Sequence, residues 1–455
     1  MKGMGGMTAP SLLWFRQDLR LADHPALVAA AAAGPVIPVY VLDDEGPGDW
    51  AIGGAQRWWL HGSLASLAKD LEALGSRLIL RRGRSEAVLA NLLEESGAER
   101  VHATKHGEPW WRAADAALGE RIELHDGNHL APLGSICTGG GKHYRIYGSF
   151  WKALQGSLPP EKPVPAPKKL TAPARWPKGD KLADWHLLPT KPDWASDFHG
   201  TPGEATAQNT VRAFAAKVGD YEAHRNLPAE EGTSGLSPHL HHGEVSPRAV
   251  WHAMAGHKDA EKFLRELAWR DFTDNLTLDL PDYADRNGRP AFDKMKWRKA
   301  PKELRAWQQG RTGYPIVDAG MRQLWQSGWM HNRVRMITAS FLIKHLLIDW
   351  REGERWFWDT LVDADYGNNS VNWQWIAGSG VDANMWSRIM TPIGQSEKFA
   401  AADYIRRWVP ELADLSDAHI HDPETNGVRP DNYPAPIIGH REARERALAA
   451  GRAIR

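Results

Sequence analysis

Apolar and polar positions change their pattern twice along the chain. Residues 11–15 (Ser-Leu-Leu-Trp-Phe) and 36–42 (Val-Ile-Pro-Val-Tyr-Val-Leu) are short, nearly unbroken apolar runs. Strands buried on both faces read this way. An Ala-rich helical stretch at about 24–33 separates them, and Leu78–Leu80, Val101–Thr104 and Ile122–Leu124 repeat the strand pattern. Helical segments near 56–74, 85–96 and 109–120 lie between those strands. Strand alternating with helix predicts a doubly wound parallel sheet with right-handed crossovers. From Gly156 to about Pro202 the chain is rich in Pro, Lys and Trp, the composition of a connector draped over a surface. From about 206 onward the periodicity is helical. The expected organisation is an α/β domain over 1–130, a connector over 131–205 and an all-α domain over 206–455.

Composition narrows the function classes. A chain of 455 residues with 42% hydrophobic content is long enough for two cores. Lys+Arg and Asp+Glu are equal at 56 each, so net charge is silent about a nucleic-acid partner, although a local basic face is compatible with it. The one cysteine, Cys137, excludes a disulfide framework, a four-thiolate zinc site and an iron–sulfur cluster. No apolar run is long enough to span a bilayer. The opening Met-Lys-Gly-Met-Gly-Gly-Met reads as a frayed leader rather than a signal peptide, and the expectation is a soluble, cytoplasmic protein. The 23 tryptophans exceed what packing usually asks for.

The densest chemistry lies at 311–375. Gly313-Tyr-Pro-Ile-Val-Asp318, Gly328-Trp-Met-His-Asn-Arg-Val-Arg-Met336, Asp363-Ala-Asp-Tyr-Gly-Asn-Asn369 and Trp373-Gln-Trp375 set polar and aromatic residues into an otherwise packed helical pattern. Buried, these groups need partners, so the segment is expected to enclose something polar and aromatic. Trp329, Asn332 and Met336 fall on one stripe of a helix, with His331 and Arg335 on the next. Glu266, Trp269 and Arg270 share another helical face, suited either to a flat polar ligand or to an ordinary surface ion pair. Gly232-Thr-Ser-Gly-Leu-Ser-Pro238 carries a helix-start signal, Ser237 at the cap and Pro238 first in the helix, and Ser246-Pro247 repeats it. Such a loop binds phosphate or is a plain capped turn; standing alone, the plain turn is preferred.

Several alternatives fail on spacing. The turn after the first strand, Arg16-Gln-Asp-Leu-Arg20, lacks the Gly-x-Gly-x-x-Gly dinucleotide fingerprint. Asp363-x-Asp365 lacks the twelfth-position glutamate of a calcium loop. His239, His241 and His242 lack zinc-hydrolase spacing and are expected to be solvated or capping residues.

From Leu13-Trp-Phe-Arg-Gln-Asp-Leu-Arg20 to about Leu412 the sequence resembles the photolyase/cryptochrome family, and within it the class I cyclobutane pyrimidine dimer photolyases. The resemblance implies an α/β domain joined to a helical domain that holds FAD. It implies flavin contacts at Tyr221, Thr233, Ser234, Leu236, Ser237, Arg270, Trp329, Asn332, Arg335, Asp363, Asp365 and Asn369. The activity it implies is light-driven splitting of the dimer in DNA by an electron from excited reduced flavin. Glu266 would hydrogen-bond the dimer, Trp269 and Trp375 would wedge it between aromatic planes, and Met336 would meet its edge. Glu266, Asn332, Met336 and Asn369 form the implied catalytic set. Arg225, Arg333 and Arg388 match phosphate-contacting positions, which makes DNA the implied partner of a monomer. Trp297, Trp350 and Trp373 match the family's electron relay; packing is the bland account of any single Trp.

Within the family, His331 is followed by Asn332 rather than a second His, which points away from the (6-4) branch. Asn369 stands where plant-type cryptochromes carry Asp. The family's usual Phe-Arg-Ile-Phe-Asn-Pro reads Ser387-Arg-Ile-Met-Thr-Pro392 here. Lys105-His-Gly-Glu-Pro-Trp110 stands at the folate-binding segment, with Gly107-Glu108 for Asn-Glu. Methenyltetrahydrofolate is the first antenna expected, ahead of a deazaflavin, another flavin or none. The alternatives to repair are a cryptochrome-like photoreceptor and a flavin-binding scaffold without light chemistry. The relay tryptophans speak against the scaffold.

Overall fold

The computed structural model describes residues 9–454, so the expected leader lies outside it. The chain forms two compact units. One comprises the chain up to Thr190 together with Gly200–Val218 and Ser234–Pro281. The other comprises Lys191–His199, Gly219–Thr233 and Asp282 onward.

The first unit is built on five parallel strands, β1 (Ser11–Phe15), β2 (Val36–Leu42), β3 (Ile79–Arg82), β4 (Arg100–Thr104) and β5 (Ile122–His125), in the order β3-β2-β1-β4-β5. Order reverses at β1, as the alternation predicted for a doubly wound sheet. Successive side chains of β1 take opposite faces. Leu13 and Phe15 join a core with Leu27 from α1 (Pro25–Ala33) and with Leu60, Leu64, Leu67 and Leu71 from α2 (Gly54–Ala73). Leu12 and Trp14 join a second core with Leu89, Leu92 and Leu93 from α3 (Ser85–Ser96) and Leu118 from α4 (Pro109–Leu118). Burial on both faces is why these strands read as unbroken apolar runs.

The turn after β1 carries buried charge instead of glycine. Arg16 pairs with Asp115 and lies 3.8 Å over the Trp14 ring, while Arg20 donates to Asn128 Oδ1 at 2.8 Å and to the carbonyls of Asp23, Gly127 and Gly243. These bonds tie the turn into the unit. A helix over Glu261–Asp279 (α5) belongs to this unit too; Asp271 on it accepts from the N–H groups of Leu130 (2.8 Å) and Ala131 (3.2 Å).

His239, His241 and His242 depart from expectation. All are buried, at 4%, 3% and 5% exposure, rather than solvated or capping. His239 Nδ1 lies 2.5 Å from Glu244 Oε2, His241 Nε2 lies 3.2 Å from Gln56 Oε1, and His242 stacks on Trp59. Each finds a polar or aromatic partner that is distant in sequence or held by a turn, so sequence alone gave no sign of it.

The second unit is helical. Its principal helices are α6 (Pro315–Ser327), α7 (Asn332–Ser340), α8 (Trp350–Thr360) and α9 (Tyr366–Ala377). Asp318 in α6 is fully buried and accepts from Thr312 N (2.7 Å), Thr312 Oγ1 (2.7 Å), Gly313 N (3.0 Å) and Tyr433 OH (2.6 Å). That network explains the polar Asp in the Gly313–Asp318 block as a structural clamp. Among the described residues no helix is long and apolar enough to cross a membrane.

Candidate active site

In the first unit, α5 sets Glu266, Trp269 and Arg270 on neighbouring turns. Trp269 stacks on Tyr147, ring centroids 4.0 Å apart and planes 11° from parallel, and meets Phe272 edge-on. Tyr147 is itself held by its hydroxyl, which donates to the Arg265 carbonyl. The indole plane is thereby fixed from one side while Trp269 remains half-buried. Glu266 Oε1 lies 3.8 Å from Lys262 Nζ, a loose pair whose carboxylate side chain is 31% exposed. Next to Arg270, the buried Asp271 carboxyl is pushed up to about 6 by desolvation, against the pull of His129 and the two backbone N–H groups. Sequence reading passed over Asp271 and Tyr147, because nothing local marks the loop N–H groups or the ring that they meet.

The hydroxyl loop leads into a short helix, Ser237–His241. Ser237 was expected at the cap, but that position is Leu236 and Ser237 is already helical. Ser234 Oγ instead accepts from Leu236 N at 3.2 Å, turning the chain one residue earlier, and Gly235 follows with φ +64°. Ser246 behaves as expected, accepting from Ala249 N at 3.0 Å ahead of Pro247.

In the second unit, 328–336 is not one helix. Gly328 ends α6 in the left-handed region, and α7 starts at Asn332, capped by His331 Nδ1 accepting from Arg333 N. Trp329 therefore lies in the link and shares no stripe with Asn332 and Met336, which do fall on one face of α7. Arg335 reaches across, Nε donating to the Met330 carbonyl (2.8 Å) and Nη2 to Asp363 Oδ2 (2.9 Å). Asp365 caps α9 by accepting from Asn368 N at 2.8 Å. Asn369 Nδ2 donates to the Glu354 carbonyl at 3.0 Å, which orients the amide. The Glu354 side chain, fully buried, is held well above the ordinary carboxyl range by desolvation and then by Asp285.

The basic and aromatic positions divide by environment. Arg333 donates from Nε and Nη2 to Asn226 Oδ1 and lies 4.6 Å from the Phe399 ring. Arg225 sits 5.3 Å over Tyr221, and Arg388 is exposed. Of the relay tryptophans, Trp373 is 3% exposed and edge-on to Trp307 at 6.4 Å, while Trp350, fully buried, donates to Asn287 Oδ1 at 3.0 Å. Trp297 is edge-on to Trp386 at 6.0 Å. Sequence reading did not single out Trp307 or Trp386, being unable to rank them among 23 tryptophans.

Residues 11–168 match the family described as DNA photolyase, and residues 263–453 match the FAD binding domain of DNA photolyase. A protein of Agrobacterium fabrum named deoxyribodipyrimidine photo-lyase is 49% identical over 98% of each chain. The chain belongs to the photolyase/cryptochrome family. Among solved structures, a bacterial class III photolyase from Agrobacterium tumefaciens superposes with TM-score 0.93 at 49% identity, covering 98% of both chains. An archaeal photolyase from Sulfolobus tokodaii, described with two FAD molecules and the implication of a novel light-harvesting cofactor, gives 0.83 at 29% identity, covering 97% of this chain and 99% of that one. Fold and family stand as the sequence led one to expect, and the chain carries the family's FAD-binding domain.

Two buried polar atoms fit this cofactor. Arg270 Nη1, a donor, and Asp363 Oδ1, an acceptor, are each buried without a hydrogen-bond partner, and Asp363 is held through its other oxygen by Arg335. A cation suits a pyrophosphate or flavin oxygen, and a carboxylate suits a flavin or ribose N–H or O–H. An unmet buried polar atom costs about 1–3 kcal/mol, which such a ligand offsets.

Proposed function

We propose that this protein is a light-driven DNA-repair lyase that splits cyclobutane pyrimidine dimers, with DNA containing such dimers as its partner. The observation that carries the reading is the 49% identity, over 98% of both chains, to a relative named deoxyribodipyrimidine photo-lyase. The set Glu266, Trp269 and Arg270 on one face of α5 supports it. The same relationship to a class III photolyase favours class III over the class I expected from the motifs.

In this reading FAD is held by Tyr221, Thr233, Ser234, Leu236, Ser237, Arg270, Trp329, Asn332, Arg335, Asp363, Asp365 and Asn369. When bound and reduced, FAD supplies on illumination an electron that the dimer accepts and returns once its ring has opened. The protein's share is binding, orientation and electrostatics. Trp269, its plane braced by Tyr147, and the half-buried Trp375 stack the dimer; the flipping of such a base is general to photolyases as a class. Glu266 hydrogen-bonds the dimer and Met336 packs on its edge. Arg335, oriented by Met330 and Asp363, sets positive charge at the flavin, and Asn369 presents an amide where an acid would itself exchange protons. Arg225, Arg333 and Arg388 contact phosphates, and Trp297, Trp350 and Trp373 pass electrons inward to re-reduce the cofactor. The working division is an antenna-binding domain at 1–130, a connector at 131–205 and a catalytic domain at 206–455. The antenna is a folate, ahead of a deazaflavin and another flavin; the archaeal relative described with two FAD molecules supports keeping the last of these. The enzyme acts as a monomer in the cytoplasm.

The test is repair of a thymine-dimer oligonucleotide by photoreduced protein in blue light and in darkness. Dimer loss in light alone supports the enzyme. Binding of the oligonucleotide to fully reduced protein without repair in light would move the chain to the photoreceptor reading.

A further inference from the structure

The parallel register of β4 and β5 sets His102 opposite Glu123, and His125 follows Glu123 by two residues on the outermost strand of the sheet. A spacing of two keeps both side chains of β5 on the face that His102 shares. His102 Nδ1 and His125 Nε2 face each other at 3.1 Å, their rings stacked 5.3 Å apart. Glu123 closes the triangle, its Oε1 lying 3.6 Å from His125 Nε2 and its Oε2 4.0 Å from His102 Nδ1. None of the three takes part in the flavin or DNA roles proposed above.

We propose that His102, Glu123 and His125 form a binding site for a zinc-class divalent cation. Zn–N bonds of about 2.0–2.1 Å and Zn–O bonds of about 2.0–2.2 Å put two ligand atoms of one ion roughly 2.9–3.5 Å apart at angles between 90° and 110°. The two imidazole nitrogens already meet that span, and the carboxylate, 44% exposed, closes the remaining distance by a side-chain rotation. Two imidazoles and one carboxylate suit Zn²⁺, Ni²⁺ or Co²⁺ over the oxygen-seeking Mg²⁺ and Ca²⁺. Three protein ligands leave a fourth position to solvent, the pattern of exchangeable rather than closed sites.

Burial holds both imidazoles below the ordinary histidine value, outweighing the attraction of Glu123. His102 Nε2 is buried without a partner, and the 3.1 Å hydrogen bond between His102 Nδ1 and His125 Nε2 is the contact a cation has to replace, taking a lone pair from each nitrogen. The competitor is Arg100, whose Nη1 lies 3.4 Å from Glu123 Oε2; both side chains are well exposed, so a cation that takes two imidazoles as well displaces it. Binding would clip the edge strand β5 to β4.

The test uses untagged, full-length protein with its flavin, first stripped by a chelator, then titrated with Zn²⁺ by calorimetry and with Co²⁺ by visible absorption. The wild type should take up one equivalent that Glu123→Gln and His125→Asn bind about 10–100-fold more weakly or not at all. Co²⁺ should give ligand-field bands of a nitrogen-ligated ion that both variants lose. Saturating Zn²⁺ should also raise the melting temperature of the wild type and not of the variants. Glu123 and His125 are partly exposed, so both variants are expected to fold, and an unchanged flavin absorption spectrum checks this. Equal uptake by wild type and folded variants would overturn the site, as would no uptake by the wild type at millimolar Zn²⁺.

Discussion

At Glu266, two roles separate by substitution. If the residue hydrogen-bonds the dimer, Glu266→Gln keeps a donor and retains much of the repair yield, while Glu266→Ala loses it by about tenfold, the worth of 1–2 kcal/mol of hydrogen bonding. Repair quantum yield on a dimer oligonucleotide decides, and equal losses would remove the role. Trp373 offers a cleaner division, since it is buried against Trp307 and Phe357 and makes no claim on substrate. Trp373→Phe should abolish photoreduction of oxidised flavin yet leave repair by chemically reduced protein intact. Loss of both would show that the substitution damages the fold, for which the cost of trimming a buried indole is below about 3 kcal/mol.

At the scale of elements, helix termini carry much of the candidate site. Asp365 both caps α9 and stands in the proposed flavin set. Asp365→Ala should cost about 0.5–2 kcal/mol in chemical denaturation, whereas Asp365→Asn keeps the cap and loses little. If Asp365 also serves FAD, the Asn variant should hold the cofactor more weakly than wild type at unchanged stability. Equal FAD retention would leave Asp365 a cap alone. The break between α6 and α7 follows the same logic. A Cβ at Gly328 would fall 2.6 Å from Phe198 Cε2 and 2.8 Å from Val362 Cγ1, and its φ of +66° favours glycine, so the helix must end there. The chain then restarts with Asn332 in the first turn of α7, a position its heptad-like spacing did not disclose.

At the scale of the whole molecule, buried histidines set the acid limit. Burial pushes His106 down to about 3, against the pull of Asp18; burial and then Arg335 and Arg333 push His331 down to about 4; burial and then His440 push His345 down to about 3. Each folded-state value lies below the ordinary 6.5, so the stability they contribute is full above that pH and is lost as pH falls toward 4 and then 3. Asp271, raised from 3.8 to about 6, acts oppositely, its contribution fading as pH rises through 6, and Glu354, Asp318 and Glu204, raised by burial, act with it. His102, His125 and His421, lowered by burial, and the lowered Asp18 carboxyl add to the three imidazoles and make theirs the larger set. The melting temperature should therefore drop steadily from pH 6.5 to 4, and a flat profile would contradict the burial assigned to these rings. Net charge is zero, so DNA affinity must come from a local face. Removing Arg225 or Arg388 should weaken binding to damaged and undamaged DNA alike and lower the salt slope by about one per residue. A defect confined to damaged DNA would contradict phosphate contact.

The sequence by itself determined the sheet, its five strands and the helices between them, because strands buried on both faces leave apolar runs that only a parallel sheet explains. It also determined the family, since motif spacing in the helical half survives without knowledge of contacts. Only tertiary structure decided what each polar group meets. That Asp271 holds the loop at Leu130, that Tyr147 braces Trp269, and that His239 is a core residue beside Glu244 depend on chain segments up to 141 residues apart or on turns whose residues carry no periodic signal. Local pattern reports which face of an element is buried, whereas a hydrogen-bond partner is chosen by the packing of elements, and no window along the chain contains that choice.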